Sequence, residues 1–525
     1  MTHARSLSLH ERYSVARRSV ESPSIVAAAA LVHLDASDQA FEQLQAHLAR
    51  RIDSALQLYP LLGYCVQSPR SRKPTWAPMA KAPTSSDILR LGAAVDGVAG
   101  DKIMAQALLG VQLSLPETSA LETGPLWQVQ LHRVQDSQGA LVVLATDHAI
   151  NDGRGTLNLF RFLLQATEPP NAPAAEMPKA SDVVFDFKPS VRYMLGMVWK
   201  ELLLPKLPLP SKLATKLRGP VSWPEAPVSA QTNEVGRCPK GCAPALDTML
   251  VSAPQLITNL KQLAHAHNPA EGKPATLHAV LHTLALAALY AAIARPLEAH
   301  ALGEFDMVFR TGTPISLRTD APGLPEVSGN YVSSYTCKTT LRGGVPFWTE
   351  ANRFSAKLAS PRGRNKAKHH MGMLAYIPDF EGDPEAYANG WEKFFGSRME
   401  SSTPFDAAFT VSNLGMIDLS TLHGQGWKVT DASWAQSHTP QGEAFGIDVL
   451  GYNTSGQQCL SIGLSSRPSA FQDKALHDRF VSYLNHLVRA FASTPEHEKQ
   501  QDLDLDSNPS FADIALLLYS ALPNA

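Results

Sequence analysis

The segment from Ala140 to Phe160 constrains the fold most, because it joins two different hydrophobic patterns through a short polar turn. The run ALVVLATDHA is continuously apolar, as in a buried strand, and the preceding PLWQVQLHRV alternates apolar and polar residues. QDSQG between these runs predicts a turn, and an amphipathic helix begins at about Arg154. The sequence therefore predicts a β-hairpin that ends at His148 and leads into a helix.

Strand and helix patterns alternate along the rest of the chain. Helical spacing runs from Ser37, with Ser37 or Asp38 as N-cap, to Pro60, and Thr276 precedes a long apolar helix. Another amphipathic helix covers 472–492. Strand patterns cover 246–252, FDMVFRTGTPISLR, YVSSYTCKTT, FDAAFTVSNLG and the hairpin EAFGIDVLGYNTSGQQCLSIGLSS. This alternation predicts an α/β or α+β fold with mixed sheets.

Chain length and proline content predict how these elements are grouped. A chain of 525 residues exceeds the usual size of one compact core, and five prolines lie from Glu168 to Pro189. We therefore predict an N-terminal lobe at 1–167, a proline-rich crossover at 168–230 and a C-terminal lobe at 231–525. A buried site between two lobes is compatible with this arrangement.

Charge and cysteine content exclude several classes of protein. The net charge of −2 and the isoelectric point near 6.8 provide no global basic field for nucleic acid. Five thinly spread cysteines do not form a disulfide framework, and no signal-peptide pattern is present, so we expect a cytoplasmic protein. CPKGC lacks a second ligand pair, and His278 and His282 lack a third ligand, so we expect no metal site.

The stretch from Val191 to Arg218 is apolar and basic. The region around it, SVRYMLGMVWKELLLPKLPLPSKLATKLRGP, combines six basic residues and one acidic residue with many Leu, Met, Trp and Tyr side chains. Such a composition suits a membrane surface, whereas its prolines interrupt the long amphipathic helix that surface anchoring prefers. Packing between the lobes with solvated lysines is the simpler interpretation, and peripheral membrane contact is the alternative.

His148 and Asp152 are the residues with the clearest chemical potential. A histidine at a strand end can project its imidazole into a cleft, and its ordinary pKa suits proton abstraction from a hydroxyl. Asp152 could fix the imidazole tautomer, as in a catalytic triad, or could brace the loop through an arginine of the other lobe. Gly153 and Gly155 would serve the turn, through unusual dihedrals or close approach of a ligand.

These residues fit a known pattern. His148, Asp152 and Gly153 form the HxxxDG signature, and the chain resembles the acyl-CoA-dependent acyltransferases of the chloramphenicol acetyltransferase, condensation-domain and BAHD superfamily. More narrowly, it resembles the fungal alcohol acetyltransferase family through LSLHERYSVARRSV, LQLYPLLG, TPISLRTD with SGNYVSS, FTVSNLG and WAQS. The resemblance extends over nearly the whole chain in order.

The resemblance implies two acyltransferase lobes with an active-site tunnel between them. His148 would be the general base, Arg318 would pair with Asp152, and Ser412 and Asn413 would line the substrate site. Acyl-CoA, with acetyl-CoA favoured, would be a co-substrate, and no bound cofactor or metal would be needed. The acceptor would be an alcohol or an amphiphilic molecule such as a glycolipid.

Two other functions remain open at this point. A condensation-type enzyme that forms an amide would use the same histidine, and an amine acceptor would distinguish it. A non-catalytic relative that binds a lipid is the second alternative. The chain offers no GxSxG elbow and no convincing nucleophilic cysteine, which disfavours a hydrolase with an acyl-enzyme.

Overall fold

The fold is a mixed α/β arrangement built around two six-stranded sheets, as seen in a computed structural model. The structure describes residues 5–37, 39–96, 100–135, 138–168, 176–204, 207–208, 222–224, 241–269, 272–295, 297, 299–379, 389–399, 405–440, 442–454, 456–471, 473, 475–492 and 508–523.

The strands fall into three sheets and the helices cover their faces. The strands are β1 Arg5–Ser6, β2 Ile25–Leu34, β3 Tyr64–Gln67, β4 Thr75–Pro78, β5 Leu89–Leu91, β6 Trp127–Val134, β7 Gly139–Asp147, β8 Ala245–Ala253, β9 Asp306–Ser316, β10 Val332–Arg342, β11 Ala407–Asp418, β12 His423–Gly424, β13 Trp427–Gln436, β14 Glu443–Thr454 and β15 Gln457–Ser466. The α-helices are α1 Leu9–Ser19, α2 Ala40–Leu58, α3 Ser85–Ile88, α4 Gly100–Thr118, α5 Gly153–Leu164, α6 Ser181–Val184, α7 Val191–Met197, α8 Leu256–Ala266, α9 Leu277–Ala294, α10 Ala299–Leu302, α11 Phe347–Ala359, α12 Pro361–Gly372, α13 Gly390–Met399, α14 Ala475–Ala492 and α15 Phe511–Ala521.

The first large sheet contains the predicted hairpin. Its strand order is β12-β13-β2-β7-β6-β5, and β6 pairs antiparallel with β7 from Trp127 opposite Thr146 to Val134 opposite Gly139. Strand β7 is flanked on both sides, and its residues from Ala140 to Asp147 are buried. The predicted strand and turn are confirmed, and His148 follows the last residue of a central strand.

The same sheet is completed by a strand from the C-terminal part of the chain. β13 pairs antiparallel with β2, so that Gln436 lies opposite Val26 and Trp427 opposite Leu34. The predicted lobe limits at 167 and 230 stay predictions. The structure adds that 423–436 belongs to the sheet of the first lobe and ties the two parts of the chain together.

The second large sheet has the order β10-β9-β11-β14-β15-β8. β11 pairs parallel with both β9 and β14, and the other neighbours are antiparallel. This arrangement confirms the expectation of mixed sheets. The predicted hairpin is also confirmed, because β14 and β15 pair from Phe445 opposite Ser466 to Thr454 opposite Gln457.

Helix α9 forms the centre of the second lobe. The Thr276 side chain caps it by accepting a hydrogen bond from Ala279 N, as predicted, and 89% of the helix is buried in the fold. It is the helix with the length and composition of a membrane span in the described part of the chain. His282 stacks on Phe354 at 3.7 Å between ring centroids and bonds Thr311 Oγ1 at 2.9 Å, while His278 bonds Thr313. Both histidines are therefore hydrogen-bonded groups of the core.

Two predicted helix starts differ from the structure. Helix α2 begins at Ala40 with Gln39 as its N-cap, and the Ser37 side chain instead accepts a hydrogen bond from Gln39 N. Ser37 is therefore not the N-cap, and Asp38, the other predicted cap, lies outside the described residues. Helix α14 begins at Ala475, three positions after the predicted start at Gln472, which also lies outside the described residues. Both differences lie in the first turn, where periodicity alone leaves helix limits poorly determined.

The apolar and basic stretch is partly described and strongly exposed. α7 and the helical turn Val198–Leu203 expose the side chains of Val191, Leu195 and Trp199, with Trp199 43% exposed. The rest of the predicted 191–218 segment, apart from 204 and 207–208, lies outside the described residues. The described part thus exposes three apolar side chains, whereas Tyr193 packs against His369 at 5.3 Å between ring centroids and Leu204 is buried. Both packing between the lobes and membrane contact stay predictions.

We expect Trp434→Ala to destabilise the protein strongly, because Trp434 fastens the two large sheets to each other. Its side chain is 2% exposed, and its indole N–H donates to the carbonyl of Val449 on β14 at 2.9 Å. Removal of a buried tryptophan typically costs about 3–5 kcal/mol in the free energy of unfolding. Denaturant unfolding measures this loss. Trp199→Ala is the control with an expected change of less than about 0.5 kcal/mol, and equal losses in both variants would contradict the assignment.

Candidate active site

His148 is held at the end of β7 by its main chain. Its N–H donates to the carbonyl of Ser24 at 2.8 Å, which joins it to the segment that leads into β2. The side chain keeps partial solvent exposure, whereas its neighbours Asp147 and Ala149 are buried. A rigid sheet thus presents an accessible imidazole.

Asn330, on the segment between β9 and β10, orients this histidine. Its Nδ2 donates to the carbonyl of His148 at 2.8 Å and lies 3.0 Å from Nδ1 of the ring. The ring also bonds the residue's own carbonyl, and a protonated Nδ1 in that bond leaves the lone pair of Nε2 free to accept a proton from a substrate. The sequence alone did not indicate a role for Asn330. The available indication was a polar amide residue two positions before β10 begins at Val332.

Asp152 braces the loop that follows His148. It is the N-cap of α5 and accepts hydrogen bonds from Gly155 N at 2.8 Å and from Tyr331 N at 2.9 Å. Arg318 Nε lies 3.1 Å from both carboxylate oxygens. These are the contacts of the bracing role, which the resemblance favoured over a triad role for Asp152. Its influence on His148 is electrostatic, since it raises the pKa of the imidazole.

Arg318 extends the brace to the loop that carries Asn330. Its guanidinium donates to the carbonyls of Pro325, Ser328 and Gly329, with 2.8 Å to Gly329. Gly329 N in turn donates to the carbonyl of Ile150 at 2.8 Å, and Ser328 N donates to Asn151 Oδ1 at 3.0 Å. Residues of the first lobe and the 318–331 segment therefore form one hydrogen-bonded unit around His148.

The two glycines of the motif are required by packing. A Cβ on Gly155 would lie 2.0 Å from Asn151 Oδ1 and 2.7 Å from Arg318 Nη2, inside the brace. A Cβ on Gly153 would lie 3.0 Å from Leu414. Neither glycine has a positive φ. The space is therefore needed for protein side chains, and the predicted unusual dihedrals are not present.

The pKa values of the site follow from burial and from its charged groups. Burial lowers the pKa of His148 below 6.5, and Arg17 lowers it further, whereas Asp152 and a hydrogen bond to the residue's own carbonyl raise it. Burial raises the pKa of Asp152, but Arg318 and the N–H groups of Gly155 and Tyr331 outweigh it, so the net shift is downward. At neutral pH the site therefore combines a neutral imidazole with an ionised carboxylate.

Ser412 and Asn413 lie in the middle of β11, just before an irregularity in its pairing with β14 between Asn413 and Met416. Ser412 is buried, and Asn413 Oδ1 accepts a hydrogen bond from Gly415 N at 2.8 Å. The carbonyl of Leu414 accepts a hydrogen bond from Arg154. The structure thus brings this part of β11 to the start of α5, after the HxxxDG residues, and contact of Ser412 or Asn413 with a substrate stays a prediction.

Two further histidines, His132 and His10, differ in position. His132 bonds the carbonyl of Ala93 at 2.9 Å at the edge of the first sheet. His10 bonds Ser181 Oγ at 3.0 Å, and burial lowers its pKa to about 4. It also interacts electrostatically with His148 and Asp152. His10 is therefore a neutral, buried group beside the site, a position that the sequence did not indicate.

A surface cleft lies on the outer side of His10. Its volume is about 580 Å³, and it is lined by Leu9, 182–189, Gly372, Ala375 and Tyr376. The ring of Phe187 from this lining lies 5.2 Å from the ring of His10. The cleft thus contacts His10, which in turn interacts electrostatically with His148. In the described residues no group of three metal-ligating side chains occurs, and Cys238 lies outside them.

Comparisons with solved structures identify the fold. The condensation domain of the monacolin K polyketide synthase MokA is similar over 94% of this chain and 98% of its own, with 13% identity and a TM-score of 0.56. F. graminearum TRI101 in complex with coenzyme A and T-2 mycotoxin is similar over 91% of this chain and 96% of its own, with 12% identity and a TM-score of 0.51. A mutant starter condensation domain of rhizomide synthetase RzmA in complex with C8-CoA and Leu-SNAC is similar over 94% of this chain and 95% of its own, with 14% identity and a TM-score of 0.51.

These similarities show the fold of the chain. It is the two-lobed fold of condensation and chloramphenicol acetyltransferase-like acyltransferases, as the resemblance implied. No protein-family model matches the sequence. No curated protein matches it either.

We expect Asp152→Asn to lower the free energy of unfolding by about 3–5 kcal/mol, because it leaves the buried guanidinium of Arg318 without its counter-charge. The two side chains are 3% and 10% exposed, respectively. Since the pKa of Asp152 is lowered in the fold, the ion pair stabilises the protein above pH 3.8, and this contribution is lost as the pH falls further. Denaturant unfolding at several pH values measures both effects.

The double variant Asp152→Asn, Arg318→Met is the matched control for this prediction. It removes the unpaired charge, and we expect it to be more stable than the single variant at neutral pH. A double variant that is no more stable than Asp152→Asn would contradict the role of the ion pair.

Proposed function

We propose that this protein is an acyl-CoA-dependent acyltransferase with His148 as general base. The observation that carries the proposal is the arrangement at His148: a partly exposed residue at a strand end, whose carbonyl is held by Asn330 and whose ring bonds that same carbonyl, so that Nε2 is left for a substrate. The fold supports it, since similar folds occur in the condensation domain with C8-CoA and in TRI101 with coenzyme A. The neutral state of the imidazole at pH 7 supports it further.

The chemistry needs no covalent enzyme intermediate. Nε2 of His148 takes the proton from the acceptor hydroxyl while its oxygen attacks the thioester carbonyl carbon. The tetrahedral oxyanion collapses, the carbon–sulfur bond breaks, and the imidazolium returns the proton to the CoA thiolate. The products are an ester and free CoA. The Asp152–Arg318 brace keeps the imidazole in place throughout, and Ser412 and Asn413 are proposed to line the substrate site.

The proposed substrates are acetyl-CoA and a hydroxylated, amphiphilic acceptor, as in fungal alcohol acetyltransferases. The exposed apolar residues of α7 and of the turn after it support an amphiphilic acceptor, and they are also compatible with peripheral membrane contact by a cytoplasmic protein. Amide formation is the alternative. It is supported by the similarity to condensation domains, one of which is recorded with Leu-SNAC.

We expect acceptor-dependent release of free CoA thiol from acetyl-CoA, and a loss of at least about 100-fold in His148→Ala, because general-base catalysis contributes about 10²–10⁴-fold. Thiol release is measured with alcohols, amines and hydroxylated glycolipids. His132→Ala, which removes a hydrogen-bonded histidine outside the site, is the control with unchanged turnover. Equal turnover in His148→Ala and the unaltered chain would remove His148 from the proposed role.

The pH dependence of kcat/KM provides a second test. Because burial lowers the pKa of His148, the base is neutral at a lower pH than free histidine. We expect the acid limb of the kcat/KM profile to have an apparent pKa below 6.5. At each pH, a control measurement verifies that the protein stays folded and active during the assay. An acid limb above pH 6.5 would contradict the electrostatics described for the site.

A further inference from the structure

Arg17 is a buried cation that the proposed catalytic arrangement does not use. It lies on α1 and is 2% exposed. The end of α1 is fixed beside His148, because Arg18 Nη1 bonds the carboxylate of Asp147 at 2.8 Å and Ser24, shortly after the helix, accepts from His148 N. Arg17 thus lies next to an anchored helix end and close to the candidate base.

The guanidinium of Arg17 has donors without acceptors. Its Nε and Nη2 are buried and have no hydrogen-bond partner in the part of the chain that the structure describes. Its neighbour Arg18, by contrast, donates hydrogen bonds to the carboxylate of Asp147 and to the carbonyls of Pro116 and Ser119. A buried charge without acceptors is unfavourable, so an anionic group in front of Arg17 would satisfy both charge and hydrogen bonds.

Polar groups from both large sheets surround Arg17 within electrostatic range. Arg17 interacts electrostatically with His148 after β7, His438 between β13 and β14, Glu443 at the start of β14 and Arg467 after β15. Nδ1 of His438 and Nε of Arg467 are also buried without a partner among the described residues. Residues next to strands of both large sheets thus have unpartnered buried polar atoms within electrostatic range of Arg17.

The charge balance around Arg17 favours an anion. Burial lowers the pKa of His438 to about 3, so its imidazole is neutral, and burial raises the pKa of Glu443 to about 7. Burial also raises the pKa of Asp448, with Glu443 contributing, so the negative charge of this carboxyl is disfavoured as well. Arg17 therefore lies near Arg467 and Glu443, and both Glu443 and its neighbour Asp448 are carboxyl groups whose ionisation burial opposes. Protonated Glu443 can donate a hydrogen bond to an incoming anion.

We propose that Arg17 anchors a subsite for a carboxylate group of the substrate, on the acyl chain or on the acceptor. This inference rests on the proposed acyltransferase function and narrows its substrate class. Arginine suits such a group because its planar fork binds a carboxylate through two parallel hydrogen bonds. The phosphates of CoA do not fit this place, since the whole pantetheine arm separates them from the thioester that must reach His148.

Two matched substrate pairs test the subsite and locate the carboxylate. Succinyl-CoA is compared with butyryl-CoA as donor, and lactate is compared with methyl lactate as acceptor of the acetyl group. In the unaltered chain we expect the acidic member of one pair to bind more tightly and to have the higher kcat/KM. In Arg17→Gln that advantage falls at least tenfold, while kcat/KM for the neutral member changes less than twofold. Arg17→Lys retains part of the advantage.

Calorimetric binding of each pair without turnover separates this inference from the proposed function. Tighter binding of an acidic member that is lost in Arg17→Gln and kept in His148→Ala supports the subsite even if no acyl transfer occurs. Arg90→Gln, at an exposed arginine of β5, is the control, and thermal melts verify folding of each variant.

Three results would overturn the subsite. The first is equal binding of acidic and neutral members by the unaltered chain. The second is an equal loss of kcat/KM for both members in a folded Arg17→Gln, which would place Arg17 at the common tetrahedral oxyanion. The third is full retention of the acidic preference in Arg17→Gln.

Discussion

The ion pair between Asp152 and Arg318 is the interaction on which the arrangement around His148 depends. Asp152 caps a helix of the first lobe, and Arg318 follows a strand of the second large sheet. Each also bonds main-chain atoms of the segment that carries Asn330. Because a buried pair of this kind is costly to break, it fixes the position of the segment as well as its own two side chains. The histidine is thereby held by residues from both parts of the chain.

The sequence was sufficient for the local structure around this site. The apolar run before His148, the polar turn and the amphipathic pattern after Asp152 each depend on neighbouring residues, so periodicity predicted them correctly. Asp152 as a brace and Arg318 as its partner came from the resemblance, and the structure shows that contact. The limits of α2 and α14 were less accurate, since caps depend on single side chains that periodicity does not report.

The remaining features depend on contacts between residues that are distant in sequence. Asn330 reaches His148 only because the Arg318 loop folds over the HxxxDG turn, and no local pattern encodes that contact. Arg17 and Arg18 are adjacent in sequence, yet one is paired and the other is buried without an acceptor. The sequence does not distinguish their roles, because both are arginines on the same helix. Their difference arises from the direction in which each side chain leaves the helix, which only the packed structure reveals.

The pairing of β2 with β13 has a consequence for how the protein is made. β2 is complete once Leu34 has been synthesised, but its partner strand ends at Gln436. At about 5–20 residues per second, translation leaves this edge of β2 without its partner for some tens of seconds. The N-terminal part therefore cannot finish folding in the order of synthesis, and an unpaired edge invites association with other chains during that interval. Nascent copies of this protein are expected to need protection by chaperones until most of the chain has left the ribosome.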